Sequence, residues 1–266
     1  MSTAVLLGPY VGSFTQEILV FRPHIRYISQ TIDGSEIYIS SHSNRSFLYD
    51  WIEPENFLPI YDHISRNEPG QVGFIYDEIT KTEFNQITKK IRNDIEADDV
   101  EIHTLPYVKN TNGISYYQKT YSPFNIPDFE IDHTDLSIVA IFDKSDQSRE
   151  VFDLLSEMFD VVVVGDMNNG LEDYNVLMKH PLYESNYLKM FNYIDKSKLV
   201  VTNCSDWALI CNCQGIPVLY WGQNSSLFKD NGVMNFDNKK CTSICNMDSK
   251  SITDMVRYCY NRLYGE

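Results

Sequence analysis

Short apolar runs alternating with stretches of helical period constrain this chain more than any single motif does. AVLL at 4–7 is bounded by Gly8 and Pro9, and strand-like segments recur at 36–40, 71–76 (QVGFIY), 100–105, 136–142, 161–164, 199–202 and 217–221. A brief continuous apolar run between turn residues marks a strand buried on both faces, as parallel strands under covering helices are. Between the runs, Ile18, Leu19, Phe21, Ile25 and Ile28 fall at helical spacing, as do Phe84, Ile87, Ile91 and Ile95, and Val151, Leu154, Leu155 and Met158. These stripes predict helices beginning at Thr15 and covering 83–95 and 149–159, with others expected over 174–180, 187–194, 205–213 and 251–263. Strands joined through helices must run parallel, because an antiparallel pair needs only a hairpin, so the expected class is α/β with Rossmann-like units.

The alternation breaks once. From 106 to 133 the chain offers Asn110-Thr111-Asn112-Gly113, Ser122-Pro123 and Ile126-Pro127 as turn signals and sustains no period. This stretch reads as an interdomain connection. It gives an N-terminal Rossmann-like domain with its connector over 1–130 and a C-terminal one over 131–266, of similar size. There is no fixed-period repeat and no low-complexity tract.

A chain of 266 residues and 30.9 kDa with 43% hydrophobic residues can bury one large core or two modest ones. Its net charge of −15 and pI near 4.7 make the average surface repel polyanions. That argues against holding DNA by non-specific phosphate contacts, which need clustered Lys and Arg. The densest basic run, Lys89-Lys90-Ile91-Arg92, lies in a mixed-charge helix and reads as a solvated face. No stretch approaches the ~18 apolar residues that cross a bilayer, and the N-terminus lacks the flank and cleavage pattern of a signal peptide, so a cytoplasmic protein is expected. The six cysteines all fall at or beyond Cys204, without disulfide-framework spacing, and are expected to be free core residues. The alternative, zinc between Cys211-x-Cys213 and Cys241-x3-Cys245, is disfavoured by its spacing.

In parallel α/β units ligands bind beyond the carboxyl ends of the strands, so candidates come from the turns that follow the runs. After the first run, Glu17 stands in the first turn of a helix that Thr15 can cap, where negative charge meets exposed N–H groups. It is either a general base in an interdomain cleft, its pKa tuned upward, or a capping-turn acid in solvent. His24 and Arg26 follow Pro23 in the same helix and either reach that cleft or are structural. His42, Asn44 and Arg45 follow the second strand, placed for acceptor contacts or simply on an exposed loop. In the C-terminal half, Asn203-Cys204-Ser205-Asp206 joins a strand to a helix, with Ser205 and Asp206 as caps. Such a helix start can receive a diphosphate through its unpaired N–H groups, or is an ordinary cap. Lys144, Ser145 and Arg149 follow the 136–142 run and offer cationic groups to a diphosphate. Gly165-Asp166 ends the next strand and either contacts a base or ribose or forms a simple turn. P-loop, G-x-G-x-x-G, H-E-x-x-H and G-x-S-x-G motifs are absent.

GPYVGSFTQEILVFRPHIRYIS followed by IYISSHSNRSFLYD resembles the N-terminal half of glycosyltransferase-like proteins of bacteria and phages that open with a strand and a G-E-F-G-W-E turn. Gly12, Phe14 and Glu17 match that turn; Ser13, Thr15 and Gln16 replace its first glutamate, second glycine and tryptophan. KLVVTNCSDWALICNCQGIPVLYWG, residues 198–222, is similar to the donor half of GT-B glycosyltransferases of the heptosyltransferase type. There a strand leads through a D-S-G-like turn into a short helix; here Ser205-Asp206 stands at the turn. The resemblance implies two Rossmann-like domains facing across a cleft. A nucleotide-sugar donor would be held by the C-terminal domain and a hydroxyl acceptor by the N-terminal one. It implies Glu17 as base, a substrate-side turn at Gly12 and Ser13, and no catalytic metal or cofactor, since helix termini and basic side chains stabilise the leaving diphosphate. On that resemblance the acceptor would be a glycan, a lipid-linked glycan or a modified nucleic acid. Other readings are a phage-type DNA glycosyltransferase acting on a hydroxymethylated base, which the acidic charge opposes, a non-catalytic nucleotide or glycan binder, and a nucleotide-sugar epimerase.

Overall fold

The computed structural model describes residues 2–11, 17–60, 81–104, 123–131, 136–143, 145–164, 184–223 and 240–265. The chain divides into two compact units, Met1–Asn125 and Ile126–Glu266.

The N-terminal unit is built on a parallel sheet of order β3-β2-β1-β4. Strand β1 (Thr3–Leu7) leads to one π-helical turn, Glu17–Phe21, that continues as α1 (Arg22–Ser29). Strand β2 (Glu36–Ser41) is followed by 3-10 turns at Ser43–Leu48 and Pro54–Asn56 and by β3 (Phe57–Pro59). Helix α2 (Lys81–Asn93) and β4 (Asp99–His103) complete the described elements. Pro23 suits the first turn of α1, where its missing N–H costs no helical bond. The predicted stripe of α2 is the buried one: Ile87 and Ile91, with Ile95 beyond the helix end, cluster with Ala4 and Leu6 of β1.

One glycine is dictated by the sheet. Gly8, directly after β1, has φ +124°, and a Cβ there would lie 2.6 Å from the carbonyl oxygen of Ser40 on β2. Only glycine adopts that backbone while the two chains stay this close.

The C-terminal unit carries a five-stranded parallel sheet of order β6-β5-β7-β8-β9. Its elements in order are β5 (Leu136–Ile141), α3 (Asp146–Ser156), β6 (Val161–Val163), α4 (Glu184–Lys196) and β7 (Ser197–Thr202). They continue with α5 (Ser205–Cys213), β8 (Val218–Gly222), β9 (Cys241–Cys245) and α6 (Ser249–Tyr264). Successive residues of β5 enter different cores. Val139 and Ile141 join Met190 and Ile194 of α4 and Ala208 and Cys211 of α5, whereas Ile138 and Ala140 join Val151 and Leu155 of α3 and Ile252 and Val256 of α6. Both faces are covered, which is why the 136–142 run is apolar at every position but Ser137 rather than alternating.

Several boundaries differ from expectation. Helix α3 begins at Asp146 because Ser145 caps it, its side chain accepting from the Ser148 N–H. Ser205 and Asp206 lie inside the first turn of α5, and Cys204 occupies the N-cap without a side-chain capping bond. Strands β3 and β9 were not anticipated: FLP is only three residues long, and CTSIC is as polar as a loop. The expected strand at 71–76, the helix at 174–180, the Thr15 cap and most of the 106–133 connection lie outside the described residues.

Candidate functional site

The connections leaving two adjacent strands of a parallel sheet can depart in opposite directions, and crevices at such points are where ligands bind in open α/β sheets. In the C-terminal unit β5 connects through α3 to β6 on one side, while β7, its other neighbour, connects through α5 to β8. The turns after β5 and β7 are tied together there. The Asp143 N–H donates to Asn203 Oδ1 at 2.9 Å, and the Asn203 amide donates back to Asp143 Oδ1 and to Ser148 Oγ at 3.0 Å. Ser145 Oγ and Ser148 Oγ donate to the same carboxylate oxygen at 2.9 and 2.7 Å. Thr202 Oγ1 donates to the Ile141 carbonyl at 2.6 Å and accepts from the Cys204 N–H at 3.0 Å, a second bridge between the strand ends.

This network fixes the protonation of Asp143. Partial burial alone would raise its pKa, but the hydrogen bonds from Ser148, Asn203 and Ser145 outweigh it and hold the carboxyl below its ordinary 3.8. The network also fixes two helix starts at one place, those of α3 at Ser145 and α5 at Cys204. Ser205 and Asp206 are exposed in the first turn of α5, and Arg149 is exposed on the first turn of α3. Of the residues expected to frame a donor, the structure thus brings Ser145, Asn203, Ser205, Asp206 and Arg149 to one edge of one sheet. Lys144, Gly165 and Asp166 lie outside the described residues. Asp143, Ser148 and Thr202 were missed; the available signal was that Asp143 is the first polar residue after LSIVAIF.

Cys204 stands in this edge, but its thiol is not primed for attack. Burial first, then the charge of Asp143, push its pKa up to about 11. All six cysteines are free thiols; Cys211, Cys213 and Cys259 are the core residues expected, whereas Cys204, Cys241 and Cys245 are only partly buried. Burial also pushes Cys213 up to about 12 and Cys241 up to about 11, and raises Cys211 still further. Cys241 Sγ takes a hydrogen bond from Asn212 Nδ2 at 3.2 Å. Among the described residues no group of three or more His, Cys, Asp or Glu side chains is arranged to hold a metal ion.

In the N-terminal unit β1 lies between β2 and β4. The Gly8 N–H donates to the His103 carbonyl at 2.9 Å, and the Tyr10 N–H donates to the Ser40 carbonyl at 2.8 Å, so the turn after β1 is held by both neighbouring strands. His24, on the first turn of α1, is half-buried. Burial and then the nearby His103 lower its pKa from the ordinary 6.5, so its imidazole is neutral at pH 7. His103 Nε2 lies 3.0 Å from Glu101 Oε1.

The expected cleft carboxylate is a buried one. Glu17 is 0% exposed and its oxygens are occupied: Arg45 Nη1 lies 2.5 Å from Oε2, and the hydroxyls of Ser41 and Tyr49 donate to Oε1. With a guanidinium and two hydroxyls on its oxygens and no exposed surface, the Glu17 carboxylate is closed to a substrate hydroxyl. His42 and Arg45, read from the sequence as acceptor contacts or as residues of an exposed loop, are likewise buried, and Arg45 turns inward to pair with Glu17. Tyr49 belongs to the same cluster, and burial followed by the Glu17 charge pushes its phenol well above 10.0. Its ring stacks on Phe57 at 5.7 Å and meets Trp51 edge-on at 5.6 Å. Over the Trp51 ring lie two guanidiniums, of Arg22 at 5.1 Å and Arg26 at 5.2 Å. Gly12 and Ser13 lie outside the described residues.

No protein-family model matches the chain, and no curated protein matches it. Solved structures do. The E. coli ADP-heptose LPS heptosyltransferase II is 11% identical and superposes with a TM-score of 0.55 over 98% of this chain and 99% of its own. The E. coli heptosyltransferase WaaC with ADP, also 11% identical, gives 0.45 over 97% and 100%. The heptosyltransferase II likeness shows the fold. The chain is an α/β protein of the GT-B type, with two parallel sheets and their helices, and the heptosyltransferase resemblance read from 198–222 holds at that level.

Proposed function

We propose that this protein is a glycosyltransferase that moves a sugar from a nucleotide-diphospho-sugar donor to a hydroxyl acceptor, with the donor held by the C-terminal unit. The observation that carries the reading is the pinned edge between β5 and β7, where Asn203 ties the starts of α3 and α5 into one rigid rim. A leaving diphosphate needs fixed donors and positive charge. The first-turn N–H groups of α5, the Ser145 turn and the Arg149 guanidinium supply them. Asp143 takes no phosphate; its charge is met by Asn203, Ser145 and Ser148, and its role is to hold the rim.

In this reading the diphosphate is stabilised by helix termini and side chains, so transfer proceeds without a catalytic metal and survives EDTA. The acceptor belongs to the N-terminal unit. A thermal-stabilisation screen of UDP-glucose, ADP-glucose and GDP-mannose tests the donor assignment, since a ligand that binds only the native state raises the unfolding midpoint. Stabilisation by at least one donor, lost on Ser145→Ala with Asn203→Ala, is expected. A non-catalytic binder would give the same stabilisation without release of nucleoside diphosphate.

A further inference from the structure

A tyrosine at the carboxyl end of β8 carries a hydroxyl that the fold does not use. Tyr220 pairs with Thr202 across the β7–β8 ladder, and Thr202 Oγ1 accepts from the N–H of Cys204, the N-cap residue of α5. The Tyr220 ring belongs to the core covered by α4 and α5, in one cluster with Ala208 and Cys211, and the residue is 5% exposed. Its hydroxyl lies against the strand end. A Cβ on Gly222, the last residue of β8, would collide with that hydroxyl and stand 2.5 Å from Cζ, the ring carbon that bears it. Gly222 is therefore the space the phenol occupies. Among the described residues none gives or takes a hydrogen bond with the Tyr220 hydroxyl. A phenol this deeply buried pairs its O–H as a rule, because an unmade bond there costs the desolvation of the group.

The order of the sheet says what can reach it. Strand β7 lies between β5 and β8, so the start of α5 has the Ser145 turn on one flank and the Tyr220–Gly222 strand end on the other. The first-turn N–H groups of a helix only donate, and they suit a ligand that is anionic and only accepts. A neutral phenol adds one more donor to such a set without adding charge.

We infer that the Tyr220 hydroxyl is a binding group for the donor's diphosphate, donating to a phosphate oxygen at the start of α5 from the flank opposite Ser145, and that Gly222 is the positioning residue that leaves the phenol room. The identity of the ligand rests on the glycosyltransferase reading above. The assignment lies wholly within the C-terminal unit, and Tyr220 and Gly222 do separate things: one supplies the hydrogen bond and the other keeps its path clear.

The test titrates inorganic pyrophosphate, UDP, ADP and GDP, in EDTA, into the full chain and its variants, and reads nucleoside diphosphate release from UDP-glucose, ADP-glucose and GDP-mannose alongside. Tyr220→Phe removes one oxygen and keeps the ring in its core, and melting curves establish that each variant is folded. Affinity for pyrophosphate and for the nucleoside diphosphate that binds is expected to fall roughly tenfold in Tyr220→Phe, the loss of one hydrogen bond to a charged acceptor. Gly222→Ala, which displaces the phenol, is expected to weaken the same ligands, yet to weaken them no further in the Tyr220→Phe background. Equal affinity in the wild-type chain and in folded Tyr220→Phe would overturn the inference and leave the glycosyltransferase reading standing. Wild-type affinity in Gly222→Ala, or a further loss from it in the Tyr220→Phe background, would overturn the positioning role. Diphosphate binding that Tyr220→Phe weakens, with no release from any of the sugar donors, would keep Tyr220 as a diphosphate ligand and overturn the transfer reading. Binding of none of the probes to the wild-type chain would overturn both.

Discussion

Arg45 and Glu17 form an ion pair inside the N-terminal unit, with Nη1 2.5 Å from Oε2 and side chains 1% and 0% exposed. The pair ties the helical turn after β1 to the 3-10 turn after β2, and the hydroxyls of Ser41 and Tyr49 complete it. Removing one charge leaves the other buried and uncompensated, which costs about 3 kcal/mol or more. Glu17→Gln is therefore expected to lower the unfolding free energy by about that much in urea titration. A change of only a few tenths of a kcal/mol would return Glu17 to the solvent-exposed helix-start acid that the sequence also allowed.

Gly8→Ala places a Cβ 2.6 Å from the Ser40 carbonyl at a backbone φ of +124°. The two faults act together, and the variant is expected to lose more than about 1 kcal/mol, measured as a fall in the denaturation midpoint at constant m-value. Wild-type stability would mean that β1 and β2 part easily at their carboxyl ends.

The Asp143 network makes a prediction about acid. A carboxyl whose folded pKa lies below its unfolded value near 3.8 contributes stability that is fully present above that value. The contribution is lost as pH falls through the folded pKa. The Asp143 side-chain carbon resonance is expected to titrate below the ordinary range, and Ser148→Ala, which removes the first of the opposing hydrogen bonds, should move the midpoint up. A midpoint at or above the ordinary value would mean that partial burial wins over Ser148, Asn203 and Ser145.

The thiols give a reactivity order. Cys211, Cys213 and Cys241 are held protonated at pH 8 by burial, so iodoacetamide is expected to spare them in the native protein and label them only in denaturant. Mass-spectrometric mapping that finds Cys211 or Cys213 labelled as fast as in the unfolded chain would contradict their packing.

Much of this was legible in the sequence, and the reasons for success and failure are physical. The C-terminal unit was readable because β5, β6, β7 and β8 are covered on both faces, and burial of that kind leaves an apolar run that no loop imitates. Helix α5 was located at Ser205–Cys213 because a strand ends before it and Gly215 closes it. By contrast, β9 exposes Thr242 and Ser243 in part and carries no such run. The site divided in the same way. Ser145 and Asn203 were found because position after a strand end is a one-dimensional property. The pairing of Glu17 with Arg45, 28 residues apart, is a three-dimensional one. Helix-start position made Glu17 look exposed, and nothing in GSFTQE announces that Ser41, Arg45 and Tyr49 close over it.

The claim that the β5–β7 edge holds a nucleotide-sugar donor is tested most directly by isothermal titration of UDP-glucose, ADP-glucose and GDP-mannose, in EDTA, into the wild-type protein and Asn203→Ala. Asn203 both accepts from Asp143 N–H and donates to Ser148, so its loss removes the side-chain tie between the two helix starts and leaves only the Thr202 bridge below it. The account predicts saturable binding of at least one of these donors to the wild-type chain. It also predicts affinity about tenfold weaker in Asn203→Ala, the loss expected when one or two hydrogen bonds no longer hold the rim. Binding of equal strength to both proteins, or of none of the three donors to either, would contradict it.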